Sequence, residues 1–441
     1  MNKNCDKSNL NYIIFVYDNF CIGGIQTYIY NAVSFLKKKN FEILIYRDRK
    51  YSIDKIFEDI LNEKNVKIMF LDNFNFMEMY NIVGDSFHSI RIFTFRLQDF
   101  AIAEDIKIKF QKNCHTFYLV PNFKGAYYYL EETFSGRKRQ KIHDRMEQII
   151  QMMNNNGNIM YFNSRHVEAM SKTYNYNISD INKYLVPGIP NIQIFDESQR
   201  IKIYNRKEFK ILAVSRFEFP HKGFFIGLIQ AFDQLCRKYD NIFLDIVGYG
   251  EGYQRIYDEI NSISSIAKNH IIMHDKCSQK KLIEYYRDAN LNISAAGCCC
   301  FGAHYGTLSI PVRHYDYTCE VYGFLPDAID FVVSDKKGEN VIAYIEQVLS
   351  MSQDEYISRC KKGLEYFNNL NKKEEFSLGY KINITNKTIG KDNIQYILSL
   401  VKWIKFNLIR NSYAERIKNL GLKEFICNAI KKRLKSLINI T

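Results

Sequence analysis

Apolar and polar residues along this chain fall into blocks that read as strand, helix, strand. Tyr12–Tyr17 is an apolar run. It is followed by the loop DNFCIGG, by a helical pattern with Ile25, Tyr28, Ile29, Ala32, Val33, Phe35 and Leu36 on one face, and by a second run at Phe41–Tyr46. This is the pattern of a βαβ unit. Further strands are predicted at Lys67–Leu71, Ile90–Phe95, Thr116–Val120, Asn158–Phe162 and Lys183–Val186, with helices between most of them. After Pro187-Gly188-Ile189-Pro190 and a polar stretch to Glu208, the architecture starts again. Strands at 210–214, 241–247, 270–274, 290–294 and 331–334 alternate with helices near 223–239, 253–268, 279–289, 341–349 and 354–367. The expectation is two parallel α/β domains, 1–187 and 209–375, joined by a linker at 188–208 and followed by a basic helical tail at 376–441. The sequence itself does not repeat.

In the tail, IQYILSLVKWIKFNLI (Ile394–Ile409) places Gln395, Ser399 and Lys402 at i, i+4 and i+7, a narrow polar stripe on a broadly apolar helix. Two readings stand. The helix braces one domain against the other, or it lies on a membrane with the basic residues after it as electrostatic partners.

A length of 441 residues exceeds what one core ordinarily serves, and 46% hydrophobic residues with only six prolines suit packed interiors. The formal charge of +13 is uneven: beyond Val401, ten Lys and Arg face two Glu, a net of +8. That excess points to an anionic surface as partner for the tail; no nucleic-acid-binding module is recognisable. The N-terminal apolar run is too short for a signal peptide, and no run reaches membrane-spanning length, so a cytoplasmic protein is expected, on the inner face of the membrane if the tail binds lipid. The eleven cysteines form no C-x-x-C pair. Cys298-Cys299-Cys300 lacks the spaced partners a zinc site needs and reads as small buried residues on a strand or turn. No metal and no cofactor are expected.

The chemistry concentrates in Phe209–Gly252, FKILAVSRFEFPHKGFFIGLIQAFDQLCRKYDNIFLDIVGYGEG. Arg216 and Lys222 stand in the loop between an apolar run and a helix opening at Gly223. Two cations at the positive end of a helix make a place for a phosphate; a surface pair of Arg216 with Glu218 is the plainer alternative. Gly23-Gly24 opens the first helix and would let a ligand approach bare backbone N–H groups, although a tight turn explains the pair equally well. The basic helical stretch GRKRQKIHDRMEQIIQMMNNN, 136–156, is either a solvated face or a contact for an anionic acceptor.

In order, GGIQTYIYNAVSFLKKKNFEILIY, VSRFEFPHKGFFIGLIQAFDQL, LDIVGYGEGYQ and LIEYYRDANLNIS closely resemble the retaining family 4 glycosyltransferases of the GT-B fold. The resemblance implies two Rossmann-like domains facing a cleft, a nucleotide-diphospho-sugar donor on the second, and a glycan or lipid-linked acceptor on the first. It carries diphosphate contacts to Arg216 and Lys222 and places Gly223 and the loop Gly248, Gly250, Glu251 at the donor. It also implies metal-independent transfer without a protein base, because the leaving phosphate can take the acceptor proton. The family's two glutamates, seven residues apart before Gly-x-Pro-Val, fall here on Ala296 and His304. His304 could still bond a ribose hydroxyl, and Glu320 or Asp316 in RHYDYTCEVYGF could replace a lost carboxylate. His88, His115 and Asn122 are candidates for a polar residue facing the sugar. Bacterial surface-polysaccharide assembly is the expected setting. The alternative is a non-catalytic protein of the same fold that binds a glycan, a protein acceptor or a partner transferase.

Overall fold

The computed structural model describes residues 10–18, 20, 23–36, 41–51, 53, 65–84, 87–110, 113–120, 134–162, 164–178, 192–332, 334, 336–372 and 387–404. The first sheet takes strands β1 (Asn11–Val16), β2 (Phe41–Arg47), β3 (Val66–Phe70), β4 (Ser89–Thr94), β5 (Cys114–Val120) and β6 (Ile159–Tyr161). They lie in the order β3-β2-β1-β4-β5-β6, all parallel, with Ile14 of β1 level with Leu44 of β2 and Ile92 of β4. β1 is buried along almost its whole length because helices cover both faces of the sheet, which is why its sequence is unbroken apolar residues. Those helices are α1 (Gly24–Leu36), α2 (Phe76–Val83), α3 (Leu97–Phe110), α4 (Gly136–Asn155) and α5 (Ser164–Thr173). The predicted strand Lys183–Val186 lies outside the described residues, as does Asn122.

The second domain repeats the plan. Strands β7 (Phe209–Arg216), β8 (Ile242–Tyr249), β9 (Ile271–His274), β10 (Leu291–Ser294) and β11 (Leu308–Pro311) lie in the parallel order β11-β10-β7-β8-β9. Its helices, continuing in chain order, are α6 (Glu197–Tyr204), α7 (Phe224–Leu235), α8 (Tyr253–Ser262), α9 (Ser265–Asn269), α10 (Gln279–Asp288), α11 (Gly297–His304), α12 (Val341–Leu349) and α13 (Gln353–Lys372).

Three elements differ from expectation. Among the described residues of the strand expected at 331–334, none is extended in a sheet; Ile329–Phe331 is a single 3₁₀ turn, and the fifth strand is β11. The cysteine run lies on a helix, α11, with Cys299 in the core. Within the stretch read as linker, α6 docks onto the second domain through the buried Arg200, which donates to the carbonyl of Ala289 at 2.8 Å and to Thr307 Oγ1 at 3.0 Å.

After α13 the chain returns to the first domain. Residues 391–404 form a helix, α14, whose Ile394, Ile397 and Leu400 pack into a cluster with Met146, Ile150 and Met153 of α4. Lys107 Nζ donates to the carbonyl of Lys387 at 2.8 Å, and Glu104, which also binds Thr116 Oγ1, accepts from Ile389 N–H at 2.9 Å. Trp403 stacks on Phe134 at 4.4 Å. The apolar face of this helix is therefore spent on the first domain. Among the described residues no helix is long and apolar enough to cross a membrane.

Candidate functional site

In open α/β sheets, ligands enter where adjacent strands lead off in opposite directions, beyond their carboxyl ends. In the second sheet that point lies between β7 and β10. β7 ends on Arg216, and β10 leads through Ala295 and Ala296 into α11.

Lys222 lies in the loop after β7, held by its N–H donating to the carbonyl of Glu218 at 2.7 Å. Only 7% of it is exposed, and among the described residues its ammonium takes no hydrogen bond and no ion pair. Burial pulls its pKa down to about 8, while the neighbouring Cys298 and Glu218 work the other way. A charge removed from water without an anion beside it is expensive. Arg216 is half-exposed and pairs with Glu218 at 2.9 Å. The plain surface pair expected as an alternative is thus present. Such pairs contribute little net stability, so an incoming phosphate can displace it.

The glycines around this loop are set by packing. A Cβ on Gly248 would lie 2.1 Å from the carbonyl oxygen of Ser215, and one on Gly250, whose φ is +142°, 2.8 Å from that of Phe217. Their absence lets the loop after β8 lie flat on the loop after β7, where Phe217 N–H donates to Tyr249 O at 2.8 Å and Gly252 N–H to Phe217 O at 2.9 Å. Gly223 likewise leaves room for the backbone of Asp316, 2.6 Å from where its Cβ would be. Glu251 is exposed. In the first domain, Gly23 O accepts from Thr27 N–H at 2.9 Å as α1 opens, and a Cβ on Gly24 would meet nothing within 4 Å.

The candidates for the missing carboxylates are engaged elsewhere. His304 is fully buried at the end of α11, its ring perpendicular to that of Phe367 at 6.5 Å. Glu320 pairs with Arg313 at 2.8 Å and accepts from Gly338 N–H at 2.8 Å, tying together the two-residue strands Glu320–Val321 and Glu339–Asn340. Asp316 accepts from Thr318 Oγ1 at 2.8 Å and Glu320 N–H at 2.9 Å. His88 and His115 stand at the amino ends of β4 and β5, the edge of the first sheet away from its carboxyl ends.

Other groups stand near this loop that no motif marked. His221 Nε2 meets His314 Nδ1 at 3.0 Å, and Tyr315, with φ +58° and its ring exposed, tilts against the His221 ring at 4.9 Å. The Cys298 thiol senses the charges of Lys222 and Arg216. From the first domain, Tyr17 is pushed up to about 12, chiefly by burial, with Arg96 and Arg216 opposing that rise. Arg216 and Tyr17 thus stand near enough for the guanidinium to act on the phenol.

Comparison with known proteins agrees with this geometry. Residues 195–306 match the family model described as glycosyl transferases group 1. Three solved structures share the fold at 12% identity or less. The first is the N-terminal domain of Candida albicans trehalose-6-phosphate phosphatase (12% identity, 91% of this chain and 97% of that one, TM-score 0.52). The second is Anabaena Alr3699/HepE in complex with UDP-glucose (12%, 82% and 97%, 0.52). The third is a Burkholderia xenovorans α,α-trehalose-phosphate synthase (UDP-forming) in complex with glucose-6-phosphate (9%, 88% and 100%, 0.51). No curated protein matches. The fold is GT-B: two parallel-sheet α/β domains with a helical C-terminal part.

Proposed function

We propose that this chain is a glycosyltransferase. It binds a nucleotide-diphospho-sugar with the diphosphate on Lys222 and Arg216 and passes the sugar to a carbohydrate or lipid-linked acceptor, with retention of configuration and without a metal. The observation that carries this reading is the largely buried Lys222 at the switch point of the second sheet, whose ammonium has no hydrogen bond or ion pair among the described residues. A diphosphate supplies the missing anion, and Arg216 supplies the second cation. The family model includes both residues, and the fold is shared with a structure holding UDP-glucose.

As the bond from the anomeric carbon to the phosphate oxygen breaks, negative charge grows on the departing diphosphate. Fixed cations there stabilise that state more than the ground state. The acceptor oxygen forms the new bond to the anomeric carbon, and its proton leaves on the phosphate. The basic residues beyond Val401 suit an anionic membrane surface, which fits a lipid-linked acceptor and surface-polysaccharide assembly.

A thermal-shift panel of UDP-, GDP- and ADP-sugars tests the reading. The matching donor at a hundredfold excess over its Kd adds about 2.7 kcal/mol, and Lys222→Met abolishes the shift. If no donor shifts the wild-type protein, the reading fails.

A second reading is favoured by Ala296 and by the inward-facing His304: a protein of the same fold that binds a nucleotide sugar or glycan without turnover. Release of nucleoside diphosphate by the purified chain separates the two.

A further inference from the structure

The first sheet reverses its winding between β1 and β4, as the second does between β7 and β10, and that crevice is again where a ligand enters. Its rim carries a charged network. Arg96, just past β4, donates from Nη1 to Asp18 Oδ2 at 2.5 Å, just past β1, and from Nε and Nη2 to the two oxygens of Asp99 at 2.6 and 2.9 Å. Asp99 is buried in the first turn of α3, so the guanidinium fork is anchored from below. Asp18 is 29% exposed at its side chain, and its backbone is fixed by Asp48 N–H donating to its carbonyl at 2.9 Å. Among the described residues its other carboxylate oxygen accepts nothing. Beside it the half-buried Tyr17 ring packs edge-on to Phe95 at 5.5 Å. Opposite stands Arg216, which Tyr17 senses.

We propose that Tyr17 and Asp18 bind the acceptor, that Arg96 is the residue positioning Asp18, and that the acceptor group held there is an uncharged, hydroxyl-bearing sugar. This rests on the glycosyl-transfer reading. One arginine against two aspartates leaves one negative charge on this rim, which repels a phosphate or carboxylate on the acceptor. A hydroxyl can donate to the open oxygen of Asp18, and a charged acceptor strengthens that bond. An aromatic flank next to a carboxylate offers a sugar ring an apolar face and a polar edge together.

The test uses the full chain and whichever nucleotide sugar the thermal-shift panel selects. Release of nucleoside diphosphate is measured in water alone and with glucose, galactose, N-acetylglucosamine or glucose 6-phosphate. The expected result is stimulation by at least one neutral sugar and none by glucose 6-phosphate. Asp18→Asn, isosteric and without the charge, should lower that stimulation about tenfold. Arg96→Lys, unable to bridge both aspartates, should raise the KM for the sugar more than it lowers kcat, with donor binding intact. Stimulation that survives Asp18→Asn, a preference for glucose 6-phosphate, or no stimulation by any neutral sugar overturns the proposal. If the wild type binds no donor at all, the glycosyl-transfer reading itself fails in the binding arm and takes this inference with it.

Discussion

Burial holds Lys222 at about 8, below the 10.5 of an ordinary lysine, so between those values the unfolded chain keeps a proton that the folded chain releases. Where the unfolded state binds more protons, stability rises with pH, and below about 8 the whole cost of the buried charge is present. Lys222→Met should therefore stabilise the ligand-free protein at pH 7, by on the order of 1–3 kcal/mol, and the gain should vanish above pH 10.5; denaturant titrations at the two pH values measure it. Donor binding runs the other way, because a diphosphate favours the charged amine. Affinity should fall about tenfold per pH unit above that free-state pKa, and calorimetry in buffers of different ionisation enthalpy should show proton uptake there. Glu320→Gln, by contrast, should leave donor affinity within about twofold and cost about 1 kcal/mol of stability, since its partners are Arg313 and Gly338 N–H. The places of Arg216 and Lys222, at the end of β7 and in the loop before α7, were legible because a cation after an apolar run and before a glycine-led helix is a local pattern. Asp18 and Arg96 were not. They stand 78 positions apart and meet only because β1 pairs with β4.

Most strands were readable for the reason that they are strands: covered on both faces, they carry unbroken apolar runs. β11 escaped because it is four residues long and only Leu308 and Ile310 enter the core, while Ser309 between them is polar and satisfied by neighbours. Ser309 Oγ accepts from Asn292 Nδ2 at 3.1 Å, and Ser294 Oγ, which bonds Asn292 Oδ1 at 2.7 Å, accepts from Val214 N–H at 2.9 Å. This buried polar seam replaces the hydrophobic signal that would have marked β10 and β11 together. α11 escaped for a related reason. GCCCFGAH has no polar face, and its Gly302 sits so close to the seam that a Cβ would lie 2.3 Å from Asn292 Nδ2. At the loops after β7 and β8, Gly248→Ala must push against the Ser215 carbonyl, which belongs to the strand ending in Arg216. A loss of about 1–3 kcal/mol is expected, together with weaker donor binding, read by melting temperature and by the thermal-shift panel on one sample.

Two domains of one architecture were legible from the spacing of apolar runs, while the cleft between them was an expectation of the resemblance. The return of residues 387–404 to the first domain was not, because an apolar helix announces burial without naming its partner. The structure names it through the buried Glu104 and Lys107. Glu104→Ala would leave Ile389 N–H without its acceptor and the buried Lys107 ammonium without its counter-charge, and should cost about 3–5 kcal/mol. Hydrogen exchange should show α3, α4 and residues 391–404 losing protection together while α7 and α8 keep theirs.

Because Ile389 meets Glu104 across a sequence separation of 285, the order of synthesis matters. The second domain is contiguous over 192–372 and can close its core as soon as that stretch has left the ribosome. The first domain, although made earlier, must wait for a helix encoded after its neighbour. On the ribosome the later-made lobe should therefore mature first, leaving the groove on α4 that receives Ile394, Ile397 and Leu400 open to chaperones throughout that interval.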